Sequence, residues 1–186
     1  MNILYINAAF RDGSRTKILA ERVLSEYPAD SITEVSLENY EDRPLTGERL
    51  SAYNRAVSLK QFEDPMFDAA KQFAAADEII IAAPFWNYGI PAVLHDYPEL
   101  VCTQGITFDM SPEGRYFSKC AAKKMTFITT SGGFIPEKDH AVSYLKDLCE
   151  VFFDIPKLRY LHAEGVDIYG ADVPALLEAA YQDSLK

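Results

Sequence analysis

The apolar run Glu78-Ile79-Ile80-Ile81-Ala82 leads directly into Ala83-Pro84-Phe85-Trp86-Asn87-Tyr88-Gly89-Ile90-Pro91. A β-branched run of this length reads as a strand. The strand opens into a loop with a proline at each end and three aromatic rings, an asparagine and a glycine inside. In open α/β sheets, ligands bind just beyond the carboxyl ends of strands. Flat rings and free backbone amides at such a place suit a flat, hydrogen-bonding ligand such as a flavin ring. Taken alone, the loop serves equally well as packing around one buried Trp.

Two other loops carry chemistry. Ala8-Ala9-Phe10-Arg11-Asp12-Gly13-Ser14-Arg15-Thr16 comes after the first strand. Gly13 permits a turn conformation closed to other residues. Ser14 and Thr16 can cap the next helix, and their hydroxyls can also donate to a phosphate. The amides and the positive dipole end of that helix favour an anion, and Arg11 and Arg15 add positive charge. The segment reads as a phosphate cradle, although Asp12 and Ser14 also make an ordinary helix cap. Neither GxGxxG nor GxxxxGK[ST] is present, so the dinucleotide fingerprint and the P-loop are both absent. The third loop, Thr129-Thr130-Ser131-Gly132-Gly133-Phe134, has paired glycines that let backbone approach a ligand and expose amide donors. A plain strand-to-helix turn reads equally from it.

The elements needed to position these loops alternate along the chain. Strands are predicted at 3–7, 31–37, 78–83, 124–130 and 158–163. Helices are predicted at 14–27, 53–76 with a break near Pro65, 90–103 with Pro98 as an irregularity, 139–154 and 172–184, the last capped by Asp172. Residues 38–50 read as a polar connection with Pro44 and Gly47, and 105–122 as an irregular segment. In the first helix, Ile18, Leu19, Val23 and Leu24 form the apolar face. Five strands alternating with helices predict an α/β doubly wound parallel sheet in the order 2-1-3-4-5, with helices on both faces and one domain over 1–186.

Composition limits the partners. Hydrophobic residues make up 48% of the 186 and charged residues 25%, a globular balance. The net charge of −10 argues against nucleic acid, whose phosphates demand a basic surface. No run approaches the ~20 apolar residues of a membrane span. The N-terminus opens a strand rather than a signal peptide, so a cytoplasmic location is expected. Cys102, Cys120 and Cys149 are widely spaced and read as buried free thiols, with no metal or disulfide spacing. His95, His140 and His162 have no motif partner and read as structural or surface residues. Tyr53, Phe62, Phe67 and Phe73 read as packing.

The proposed topology brings the ends of strands one, three and four together. A phosphate cradle at one end of the resulting site, and an aromatic, amide-lined slot at the other, describe a flavin mononucleotide, FMN. From here the chain resembles the FMN-dependent NADH:azoreductases, also called NAD(P)H:quinone oxidoreductases, of the flavodoxin-like superfamily. The resemblance runs from Met1 to about Gly170. It is carried by Ser14-Arg15-Thr16, by Pro84-Phe85-Trp86-Asn87-Tyr88, by Gln104-Gly105-Ile106-Thr107-Phe108 with Ser111-Pro112-Glu113-Gly114, and by Thr130-Ser131-Gly132-Gly133. It implies bound FMN, NADH or NADPH as co-substrate, and a quinone or azo acceptor reduced by two-electron ping-pong transfer. It also implies a homodimer with FMN at the interface, built from Phe108 to Phe117 and Phe152-Phe153. Ser14, Arg15 and Thr16 would hold the phosphate; Pro84, Phe85, Trp86, Asn87, Tyr88, Thr130, Ser131, Gly132 and Gly133 would hold the ring. Catalysis would rest on the flavin, without a catalytic side chain.

Three positions depart from the family pattern: Phe85 stands for Met, Ser131 for Arg, and Ala8 for the first-loop Ser. Two other functions compete. A flavodoxin-like one-electron carrier fits the acidic charge. A non-catalytic flavin-binding or sensor module fits Ala8 and Ser131.

Overall fold

A computed structural model describes residues 1–38 and 46–186. Five strands form one parallel sheet: β1 (Ile3–Asn7), β2 (Ile32–Ser36), β3 (Glu78–Ala82), β6 (Lys124–Thr130) and β7 (Lys157–Ala163). Their order is β2-β1-β3-β6-β7, which is 2-1-3-4-5 when only sheet strands are numbered, as predicted. The helices are α1 (Arg15–Leu24), α2 (Gly47–Ser58), α3 (Asp68–Ala75), α4 (Ala92–Val101), α5 (His140–Leu148) and α6 (Val173–Asp183).

The central strands are buried on both faces, which is why they read as continuous apolar runs. Alternate residues feed two separate cores. Leu4, Ile6, Ile79, Ile81, Met125 and Phe127 pack with Phe73, Leu94, Tyr97 and Leu145 of α3, α4 and α5. Ile3, Tyr5, Ile80, Ala82 and Ile128 pack with Leu19, Val23, Leu177 and Tyr181 of α1 and α6. At the outer edge, Arg159 of β7 is buried and donates to both carboxylate oxygens of Glu26 at 3.0 Å. Its guanidinium also donates to the Ser184 hydroxyl.

Several boundaries differ from the sequence reading. The apolar face of α1 is Thr16, Leu19, Ala20 and Val23, spaced at 3 and 4 residues; Ile18 projects into solvent. Gly47 to Leu50, expected in a connection, open α2; Pro44 lies outside the described residues. The expected helix over 53–76 is broken well before Pro65. α2 stops at Ser58, and Lys60 takes a left-handed conformation (φ +54°). The Gln61 amide donates to the Ala56 carbonyl and the Lys60 amide to Val57, the bonding of a Schellman end. Glycine normally marks such an end, so a lysine there hides it. α4 runs through Pro98 to Val101. Within 105–122, β4 (Phe108–Met110) and β5 (Tyr116–Ser118) form an antiparallel hairpin. After α5, Cys149–Phe153 form a π turn ended by Asp154 at φ +47°. Asp172 caps α6 through the Ala175 amide, as expected. Phe67 and Phe73 are buried, and Tyr53 and Phe62 pack on Phe67. All three cysteines are free, with Cys120 and Cys149 buried. No helix among the described residues is long and apolar enough to cross a membrane.

Candidate functional site

The carboxyl ends of β1, β3 and β6 lie in register, Asn7 beside Ala82 and Ala82 beside Ile128. Backbone bonds carry this alignment into the loops. The Ala8 amide donates to Ala82, Ala83 to Ile128, Phe85 to Thr130 and Ser131 to Ala163, at 2.8–3.0 Å. The loops therefore leave the sheet side by side, and their residues converge above it.

In the first loop, the Ser14 amide donates to the Arg11 carbonyl at 2.9 Å, with Gly13 at φ +67° inside the turn. Ser14 caps α1, its hydroxyl accepting from the Lys17 amide at 3.3 Å. The amides of Asp12, Gly13, Arg15 and Thr16 have no hydrogen-bond partner among the described residues. They surround the positive end of the α1 dipole, an arrangement that attracts anions. Thr16 is buried, and its hydroxyl bonds the hydroxyl of Thr130 at 2.7 Å. That bond ties the first loop to the end of β6.

In the aromatic loop, Trp86 and Gly89 exchange backbone hydrogen bonds at 3.0 and 2.9 Å. Asn87 and Tyr88 between them sit at φ +51° and +62°, the pattern of a two-residue type I′ turn. Asparagine tolerates this conformation; for tyrosine it is costly, and such residues cluster at functional sites. The turn lifts its rings outward: Trp86 is 48% and Tyr88 68% exposed. The loop is therefore not packing around a buried Trp. Phe85 packs on the core and meets Tyr88 edge-on at 6.3 Å.

In the loop after β6, Ser131 is buried and its hydroxyl donates to the Gly133 carbonyl, so the side chain turns into the loop. The Gly132 and Gly133 amides have no partner among the described residues. Their carbonyls accept from Asp167 and Gly165, at 3.1 and 2.9 Å. This straps the loop after β7 onto the loop after β6. It sets Asp167 at the mouth of the site, where its carboxylate pairs with the Arg15 guanidinium.

Eight of the predicted residues, Ser14, Arg15, Thr16, Pro84, Phe85, Trp86, Thr130 and Gly132, line one cavity of about 130 Å³. Asn87 and Tyr88 line an adjoining cavity of about 670 Å³ that shares Phe10 and Trp86 and reaches His95 and His140. Ser131 and Gly133 line neither; the Ser131 amide and carbonyl are taken up by Ala163 and Val166. The sequence reading missed Val166 and Asp167, which also line the smaller cavity. The signal was available: β7 neighbours β6, so its carboxyl-end loop had to fall beside the loop after β6, and Gly165 (φ +70°) marks its turn. Of the histidines, His95 packs on Tyr144 at 5.2 Å and His162 on Tyr160 at 4.7 Å.

The chain and its fold are similar to known proteins. Residues 1–186 match the family described as flavodoxin-like fold. The FMN-dependent NADH:quinone oxidoreductase of Clostridium beijerinckii is 31% identical over 96% of this chain and 93% of its own length. The FMN-dependent NADH:quinone oxidoreductase 2 of Clostridium acetobutylicum is 33% identical over 94% and 92%. Among solved structures, a Bacillus anthracis FMN-dependent NADH-azoreductase in complex with FMN superimposes with a TM-score of 0.81 at 22% identity, covering 99% of this chain and 96% of that one; that likeness establishes the fold. The chain belongs to the flavodoxin-like family and, within it, to the group of the FMN-dependent NADH:quinone oxidoreductases.

Proposed function

We propose that the protein is an FMN-dependent oxidoreductase that uses NADH to reduce quinones and azo compounds, two electrons at a time and in ping-pong order. The observation that carries this reading is one continuous site. Unpaired amides at the start of α1 stand at one end, exposed Trp86 at the other, and the free Gly132 and Gly133 amides beside them. The names of the clostridial relatives supply the quinone, and that of the Bacillus anthracis structure the azo compound.

The residues fit FMN. A phosphate needs several donors, and the α1 amides, the Ser14 and Thr16 hydroxyls and the guanidiniums of Arg11 and Arg15 provide them. A flat ring needs one flat wall and donors at its edge. Pro84, Phe85 and Trp86 would form the wall, Asn87 and Tyr88 extend it, and Thr130 and Ser131 would carry Gly132 and Gly133, whose free amides would meet the edge. Amides fixed there would stabilise negative charge on the ring. When bound, FMN supplies the two-electron chemistry, accepting hydride from NADH and returning the electrons to the acceptor. The protein's part is to hold the ring with one face open. The larger cavity over Asn87, Tyr88 and His95 would give the two co-substrates a common place, which supports successive visits.

We also propose that the protein works as a homodimer. Phe108, Tyr116 and Phe152 pack on one another in edge-on and tilted contacts at 4.7–5.6 Å. Next to them Met110, Phe117 and Val151 are about half exposed, and apolar surface of this kind marks contact sites. Light scattering behind a sizing column should give about twice the 20.9 kDa chain mass; a monomer would refute this part.

The test of the activity is a visible spectrum of the protein mixed with FMN, then reduced with NADH without oxygen, then given benzoquinone or an azo dye. Bound flavin bands that bleach with NADH and return with the acceptor are expected. Flavin that ignores NADH would make the protein an electron carrier, and failure to bind flavin a non-catalytic module.

A further inference from the structure

We infer that Asp167 is a built-in competitor for the phosphate of FMN, holding Arg15 until the phosphate displaces it. This rests on the FMN reading above. Three features place the carboxylate there. The Asp167 amide is tied to the Gly132 carbonyl at 3.1 Å and the Val166 amide to the Ser131 carbonyl at 3.2 Å. Gly132 leaves room, since a Cβ at that position would overlap the Asp167 carboxylate. Arg15 then closes the arrangement as an ion pair, and both residues line the cavity that the α1 amides face.

An acid at the mouth of an anion site is costly unless something opposes it. Asp167 would repel a phosphate dianion directly, and it occupies one of the two guanidiniums, Arg11 and Arg15, that line the cavity. The pair is also easy to open. The Asp167 side chain is 64% exposed, so swinging it into water buries no charge, and exposed pairs of this kind are weak. Phosphate entry is thus an exchange of one anion for another on Arg15. Part of the phosphate's interaction is used to open the pair, and FMN is held less tightly than the cradle alone would allow. The ring half of the ligand is untouched by this exchange, so riboflavin, which lacks the phosphate, should not sense Asp167.

The experiment is titration of FMN and of riboflavin by fluorescence quenching on four proteins: wild type, Asp167→Asn, Arg15→Gln and the double variant. The exposed loop position of Asp167 and its retained backbone bonds keep Asp167→Asn folded. Asp167→Asn should bind FMN about three- to tenfold more tightly and riboflavin within about twofold of wild type. In the Arg15→Gln background the same substitution should gain distinctly less, because the partner it frees is gone. Unchanged or weaker FMN binding in Asp167→Asn would overturn the inference and leave the FMN reading intact, as would an equal gain for riboflavin. If neither wild type nor Asp167→Asn binds FMN, both fail. If only Asp167→Asn binds it, the competitor is demonstrated.

Discussion

The bond between Thr16 and Thr130 offers the sharpest test of the site. Both side chains are buried, their hydroxyl oxygens are 2.7 Å apart, and both line the smaller cavity. Two hydroxyls carry two protons, and their mutual bond uses one. Neither has another hydrogen-bond partner among the described residues, so one O–H remains to donate into the cavity. Replacing either threonine by valine keeps the shape but strands the other hydroxyl in a buried place. Stranding a buried polar group costs about 1–3 kcal/mol, whereas replacing both partners by apolar groups of the same shape is nearly neutral. Each single variant should therefore lose about 1–2 kcal/mol, a fall in Tm of about 2–8 °C for a chain of this size. The double variant should recover most of that loss, so the coupling, the sum of the two single losses less the small double loss, should be about 2–3 kcal/mol.

The double variant then isolates function from stability. It is folded and nearly as stable as wild type, but the cavity has lost its spare donor. If that donor meets the FMN phosphate, FMN binding should weaken by about tenfold or more, the value of a hydrogen bond to a charged group. Urea and thermal melts of the four proteins give the stability cycle, and flavin fluorescence gives the affinity. Strictly additive losses would show that the hydroxyls are not coupled. Unchanged FMN affinity in the double variant would show that neither meets the phosphate.

Three further outcomes are expected. Glu26→Gln removes the charge opposite buried Arg159 and should cost about 2 kcal/mol in a urea melt, below the loss for a fully buried pair because Glu26 is partly exposed; a cost under ~0.5 kcal/mol, the level of an ordinary surface change, would refute it. Tyr88→Gly creates an Asn-Gly type I′ turn and relieves a left-handed tyrosine, so Tm should rise by about 1–3 °C while quinone turnover falls with loss of the exposed ring; a fall in Tm would show that the Tyr88 ring stabilises the loop. Burial raises the thiols from an ordinary 9.0, Cys120 to about 11 and Cys102 and Cys149 to about 12. Between pH 9 and these values the folded chain keeps protons that the unfolded chain has lost. Stability present below pH 9 should therefore fall as pH rises toward 11–12, and iodoacetamide at pH 8 should label the cysteines only after unfolding.

The sheet was legible because the physics of its centre is simple. Glu78-Ile79-Ile80-Ile81-Ala82 can be continuous and apolar only where both faces are covered, and doubly wound topology then brings three carboxyl-end loops together. The elements that were not legible depend on single residues acting against type. Lys60 ends α2 in a conformation usually reserved for glycine. Ile18 is apolar yet exposed, because the stripe of α1 is set by Thr16, Leu19, Ala20 and Val23. The β4–β5 hairpin has three-residue strands, too short to show a period. In the site, the cradle residues were readable from their types. That the loop after β7 falls beside them followed from the strand order, but the pairing of Asp167 with Arg15 did not, since it comes from a backbone strap between two loops and from the missing side chain of Gly132.

Of the three departures from the family pattern, Ala8 and Phe85 line the smaller cavity and Ser131 lies in the loop beside it, and the structure gives them a common effect. Ala8 has no hydroxyl, and its amide is used by the Ala82 carbonyl. Ser131 turns its hydroxyl onto Gly133, so the loop after β6 carries no side-chain charge where the family pattern has an Arg. Phe85 turns toward the core and Tyr88. Each removes a polar or adaptable contact and leaves a rigid one. On the proposed reading, recognition would rest more heavily on fixed backbone amides and on Arg11 and Arg15 than the motif alone would indicate. Fixed amides supply orientation at little entropic cost, but they add no full charge. On the same reading, the balance between Arg15 and Asp167 should have more influence on FMN here than it would in a cradle with further side-chain donors. Restoring a hydroxyl with Ala8→Ser should weaken that dependence. The gain from Asp167→Asn should shrink in an Ala8→Ser background, and an undiminished gain would show that the first-loop position and the ion pair act independently.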